Sequence, residues 1–130
     1  MIHAFRLVKG QDLKLSLQEY CVNHHINAGI ILSGVGSVDT LKLRMAKAVE
    51  TKLYNKDFEI VSITGTIARG KAHIHLSLSD EDGNVVGGHL VNGTIVNTTC
   101  EVVLMELDNY DFSREFDKNT GYNELVIRKT

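Results

Sequence analysis

The chain has 130 residues, 43% hydrophobic and 23% charged, ordinary values for one globular domain that argue against disorder. Its formal charge of −2 argues against a dedicated nucleic-acid binder, whose affinity comes mainly from Lys and Arg neutralising phosphates. No apolar run approaches the ~20 residues that cross a bilayer, and Arg6 and Lys9 interrupt the start as a secretory signal would not allow, so no membrane partner is expected and a cytoplasmic location is the simplest expectation.

In chain order, "MIHAFRLVK" alternates around Phe5 and predicts an opening strand. In "DLKLSLQEYCVNHH", Leu13, Leu17, Tyr20, Cys21 and His24 fall on one helical stripe. Asp12 is the predicted N-cap and "NAG" at Asn27 to Gly29 the C-terminal breaker, with His24 and His25 as capping and surface residues. "GIILSGVGSV" has the composition of a buried strand, and Gly34 and Gly36 predict a tight turn at its end. They do not form a phosphate loop, because a third glycine and a following Lys-Ser/Thr are missing. "TLKLRMAKA" alternates Leu41, Leu43 and Met45 with Lys42, Arg44 and Lys47, a strand with one wet face. "FEIVSITGTIA" predicts a central strand interrupted by Gly65, and "TIVNTTCEVVLMEL" a long, bent final strand. The tail from Asp111 reads as irregular before its last apolar residues. Six or seven strands with one principal helix, joined mostly by hairpins, predict an α+β fold with a mainly antiparallel sheet. Cys21 and Cys100 lie far apart without a CxxC pair and suit reduced core thiols.

The chemistry concentrates in "AHIHLSLSDEDGNVVGGHL", which carries three of the six histidines. His73 and His75 share one face of a strand. A five-residue loop from Asp80 to Asn84, with Gly83 free to take positive φ, places Ser79 against Val85 and therefore His75 against His89. Directly opposed residues have Cβ atoms about 4.5–5.5 Å apart, close enough for imidazoles to converge on an ion at about 2.0–2.1 Å. Three neutral imidazoles with one open position make a zinc-type site. A bulge at Gly87 and Gly88 would instead send His89 to the other face. A second reading therefore stays open, in which the histidines line a polar surface or a subunit interface without metal. Ser77 shares their face, yet no orienting carboxylate or oxyanion hole accompanies it as a nucleophile. "DEDG" lacks the Glu of a calcium loop and is a turn.

Those same residues carry a family resemblance. "HIHLSLSDEDGNVVGGHL", preceded by "FEIVSITGTIA" and followed by "NGTIVNTTCEVVLMEL", resembles the PPC (plants and prokaryotes conserved) domain, known as a stand-alone prokaryotic protein and as the globular part of plant AT-hook proteins. "VKGQDLKLSLQEYC" resembles the family's opening strand–helix step and "GIILSGVGSV" its glycine turn. "FSREFDKNTGYNEL" resembles the terminal pattern at Arg114, Asp117, Thr120, Gly121 and Leu125. The resemblance spans nearly the whole chain and implies a single domain over residues 1–130, assembled as a homotrimer through its sheet edges. It also implies a metal ion, zinc, on His73, His75 and His89. Glu59, in the family's acidic position, would be a fourth partner or an acceptor behind the ligands, or else simply a charge at a strand entrance. Arg114 would lie behind the ligands or contact a bound molecule.

Stand-alone members are often called DNA-binding by analogy with the plant proteins. The AT-hook that makes that contact is an Arg-Gly-Arg-Pro element, and this chain has no proline. Three functions follow as expectations: a homotrimeric interaction or small-ligand module with a histidine metal site; a zinc-dependent hydrolase or lyase with Glu59 or Asp80 as base; and non-specific DNA binding through "LKLRMAK". Whether the chain is an enzyme is left open by these residues.

Overall fold

The computed structural model describes residues 1–130. Its elements run β1 (Ile2–Val8), α1 (Leu13–Asn23), β2 (Ala28–Arg44), β3 (Thr51–Tyr54), β4 (Phe58–Ala68), β5 (Lys71–Ser79), β6 (Val85–Leu90), β7 (Ile95–Glu106), β8 (Tyr110–Asp117) and β9 (Tyr122–Lys129), with a 3-10 turn at Ala46–Ala48. Every strand pairing is antiparallel. The expected α+β class with one principal helix is therefore observed, with nine strands in place of six or seven.

Asp12 caps α1 as its position predicts: Oδ1 accepts from the Leu15 N–H at 3.0 Å, and Oδ2 accepts from the Gly93 N–H at 2.7 Å. The helix buries Leu13, Leu17 and Cys21. Its end differs from expectation, because Ala28 and Gly29 open β2 and the helix stops at His24. The His24 ring nitrogen Nδ1 lies 2.9 Å from the Tyr20 carbonyl, its ring stacks on Tyr20 at 3.9 Å, and His25 takes the left-handed φ of 55°. Side chain and backbone of the histidine pair thus satisfy the last turn, and no glycine is required there.

β2 runs unbroken for 17 residues through the position where a turn was expected. Gly34 and Gly36 serve approach instead of reversal: a Cβ built on Gly36 would stand 2.1 Å from the Thr99 carbonyl oxygen of β7. The β2–β7 register shifts between Gly36 and Ser37, where β7 carries Thr98 and Thr99 as extra residues, with Thr98 at φ 60°, so the irregularity lies in β7 at that contact. Along its first part β2 pairs β7 and β4; near its end it pairs β3 (Leu43↔Lys52) and β6 (Leu43↔Leu90, Arg44↔His89). Since β4 pairs β5 and β5 pairs β6, the four strands β2, β4, β5 and β6 close into a ring. Inward side chains such as Leu43, Ile67, Ile74, Leu78 and Leu90 join Leu13 and Leu17 of the helix in one core of 20 buried residues. Burial of each such side chain contributes roughly 1.5–3 kcal/mol. β4 is continuous through Gly65, and its irregularity lies between Ile60 and Ser62.

The tail is ordered, contrary to expectation. β8 and β9 form a separate two-stranded sheet closed by a turn in which the Gly121 N–H donates to the Asp117 carbonyl at 2.8 Å. Its only well-buried residue is Phe112, set against Ala28, Ala68, Leu107 and Leu125. A hairpin with so little apolar surface shows weak periodicity, which is why the pattern does not declare it.

The close contact at Gly36 gives a stability prediction. Gly36→Ala should lower unfolding stability by about 3 kcal/mol, the upper part of the range for overpacking. Gly83→Ala, at φ 83° with nothing within 4 Å of the added carbon, should lose only about 1 kcal/mol from backbone strain. Urea unfolding of both variants measures the difference.

Candidate metal centre

β5 alternates strictly, with Ile74, Leu76 and Leu78 buried and His73, His75 and Ser77 on the outer face of the ring. The β5–β6 register is Ser79↔Val85 through His75↔His89, without a bulge at Gly87 or Gly88. The same register that makes the histidine face also brings His89 onto it. Ring centroids are 5.0 Å apart for His73–His75, 5.2 Å for His73–His89 and 5.5 Å for His75–His89. One nitrogen from each ring lies within 4.8 Å of the others, at most about 1.5 Å wider than the ~3.3 Å between two nitrogens on one tetrahedral zinc. Nδ1 of His89 is shut off from water and has no hydrogen-bond partner. Leaving such a group unsatisfied costs about 1–3 kcal/mol, and a cation bound there would satisfy it. The residues present fit a three-imidazole metal site.

The electrostatics disfavour protonation of His89 and His73. Burial, followed by the Arg44 guanidinium and then by His73, Lys14 and His75, pushes His89 down to about 4. Partial desolvation, then His75, Arg114 and Arg44, lowers His73, while Glu124 works in the opposite direction. A neutral imidazole is the form that ligates metal.

Two arginines reach the histidines from other strands. Arg44 is the β2 residue paired with His89, and its guanidinium carbon stands 6.0 Å from the Tyr122 ring centroid of β9. Arg114 comes from β8 and lines one cleft with His73, His75, His89 and Glu124. The tail resemblance marked Arg114 from sequence. Arg44 was legible only as a wet-face residue of "LKLRMAK", because its partner strand depends on ring closure; nothing in the pattern singled out Tyr122, Glu124 or Lys14.

Glu59 is not brought to the histidines. It pairs with Ser37 and Ser79 and lines a separate cleft with Asp57 and Asp80, five positions along β4 from Thr64, the residue opposite His75. Strand rise makes that roughly 16 Å, so the carboxylate facing the imidazoles is Glu124 instead. Asp80 sits in that second cleft, where the Lys56 ammonium at 3.0 Å holds its carboxyl below the usual range. Cys21 and Cys100 are buried and unpaired, and burial raises both thiols to about 11.

Comparison with known proteins matches this chain and its fold to one family. The chain is 39% identical over 128 residues to the bifunctional protein GlmU of a Synechococcus strain (JA-3-3Ab), covering 98% of this chain and 21% of that protein. It thus spans about a fifth of the length of the curated relatives it matches. A solved structure of a hypothetical protein from Salmonella is 34% identical with a TM-score of 0.95, over 99% of this chain and 94% of that one. A structure described as a metal-containing protein from Archaeoglobus fulgidus is 29% identical with a TM-score of 0.82, over 97% and 93% of the two chains. The profile of the Plants and Prokaryotes Conserved (PCC) domain matches residues 1–108, the segment that builds the helix, the ring and the three histidines, and the chain belongs to that family.

Proposed function

We propose that this chain is a metal-binding, small-ligand module that assembles as a homotrimer, with zinc held by His73, His75 and His89. The observation that carries the metal is the convergence of three imidazole nitrogens within 4.8 Å. The Archaeoglobus protein, described as metal-containing, supports it. Zinc bound there supplies a Lewis acid with an open coordination position. The trimer is supported by exposed apolar side chains on β2 and β4, with Leu32 46%, Val35 58% and Val61 60% exposed. A cytoplasmic location belongs to the same proposal and draws on the two unpaired thiols. No helix is long and apolar enough to cross a membrane.

The hydrolase or lyase reading loses the bases named for it, since Glu59 and Asp80 line a different cleft. DNA binding through "LKLRMAK" loses its central charge, because Arg44 is turned to the histidines and Tyr122.

Mass spectrometry of untagged protein should find near-stoichiometric zinc, and none in folded His75→Ala/His89→Ala; metal-free parent protein after incubation with zinc would sink the metal reading. Light scattering should give three times the 14.4 kDa chain mass, and Val35→Asp should shift it toward the monomer; a monomeric parent would remove the trimer.

Metal-free protein carries a pH signature. An unfolded His takes its proton near 6.5, whereas folded His89 resists it down to about 4. Between those values the unfolded chain binds more protons, so stability falls as pH drops from about 6.5 to about 4 and is unaffected above. Urea midpoints across this window should decline less in His89→Gln than in the parent.

A further inference from the structure

We propose that the histidine cleft is a receptor for a small oxyanion, a carboxylate or phosphate group gripped by Arg114 and Arg44 beside the metal position. The inference rests on the metal-site reading for its location and adds the class of ligand. Its observation is Arg114: Nη2 is shut off from water without any hydrogen-bond partner. A guanidinium nitrogen in that state has lost its hydration and gained no acceptor, and charged donors are the most expensive to leave unpaired. The chain supplies no carboxylate for either arginine, since its ion pairs are Met1–Asp108, His3–Glu106, Lys56–Asp80, Arg69–Asp111 and Arg128–Glu115. The missing acceptor must therefore come from outside.

Charge and shape point the same way. Arg44, Lys71 and Arg114 line the cleft against a single carboxylate, Glu124, an excess of two positive charges before a dication is added. This stands in a chain whose net charge is −2. Low-dielectric walls focus such a field on whatever enters. The cleft has a volume of about 470 Å³, within the range of small-molecule sites. Planar guanidinium forks match carboxylate and phosphate oxygens bidentately. The Tyr122 ring, 6.0 Å from the Arg44 guanidinium carbon, gives that arginine a cation–π contact.

The backbone that aims Arg114 is anchored at its base. Asp111 takes the Arg69 guanidinium, with Nε–Oδ1 at 3.0 Å, and Phe112 packs into the small apolar cluster with Ala28 and Ala68. Two residues further along β8, Arg114 reaches the histidines. Hairpin and ring thus each contribute one arginine, and a bound anion would bridge them.

Calorimetric titration with inorganic phosphate and, separately, succinate tests the proposal at low chloride, on zinc-loaded and on metal-free protein. At least one probe should bind, and Arg114→Gln and Arg44→Gln should each weaken it tenfold or more while zinc content stays at the parent value. Arg114→Lys, which keeps the charge and loses the fork, should recover only part of the affinity; it also serves if the glutamine variant fails to fold. Preference for phosphate or for succinate identifies which oxyanion the site takes. Zinc retained with neither probe bound, or binding that both arginine variants leave unchanged, overturns the anion site and leaves the metal reading standing. Arginine-dependent binding in a parent that retains no zinc does the reverse.

Discussion

β2 is paired on both edges for most of its length, and at its end β3 continues the edge that β4 held while β6 takes over from β7 on the opposite edge. That change of partner is the constraint from which the rest follows. It closes β2, β4, β5 and β6 into a ring with an apolar interior, and it sets Arg44 directly across from His89. A sheet left open at that point would leave β6 as an exposed edge and would place the arginine on a different surface from the imidazoles. The glycines that looked like a turn are what let β2 stay long enough to reach β6, because Gly36 admits the β7 backbone where any side chain would collide.

Once the ring is closed, chemistry and electrostatics reinforce one another on its outer face. Protonation of His73 and His89 is disfavoured by desolvation and by the neighbouring cations, and the neutral imidazole is the form that metal coordination needs. The same cations would repel a bare dication unless its charge is screened or an anion accompanies it. Metal and anion would then each lower the cost of binding the other, a coupling expected wherever two sites of opposite preference share one cleft. The acidic cleft around Asp57, Glu59 and Asp80 lies apart from this and is engaged with Lys56.

Local pattern carried much of this architecture, and long-range pairing carried the remainder. Period-two alternation placed β1 and the end of β2, β-branched composition placed β4, and the five-residue loop set the histidine register of β5 and β6 once no bulge intervened. Asp12 was readable as a cap because capping is a short-range interaction. What stayed hidden depended on partners far away in sequence. Gly36 reads the same whether it turns a chain or admits a neighbouring strand, and only Thr99 decides. Arg44 reads as a solvated face until β6 arrives beside it. β8 and β9 bury little beyond Phe112 and so leave a weak periodic signal. Glu59 was carried to the site by resemblance alone, and strand rise along β4 separates it from the histidines.

The terminal hairpin forms its own two-stranded sheet beyond residue 108, where the family profile ends, and meets the ring chiefly through Phe112 and the Asp111–Arg69 pair. The cleft thus draws its imidazoles, Arg44 and Lys71 from the ring and Arg114, Tyr122 and Glu124 from the hairpin. Substitutions in the hairpin can redraw the roof over the histidines without disturbing the apolar ring beneath them. A lineage can then diversify what it recognises while conserving what it coordinates, the division of labour that antibody loops achieve on an unchanging framework.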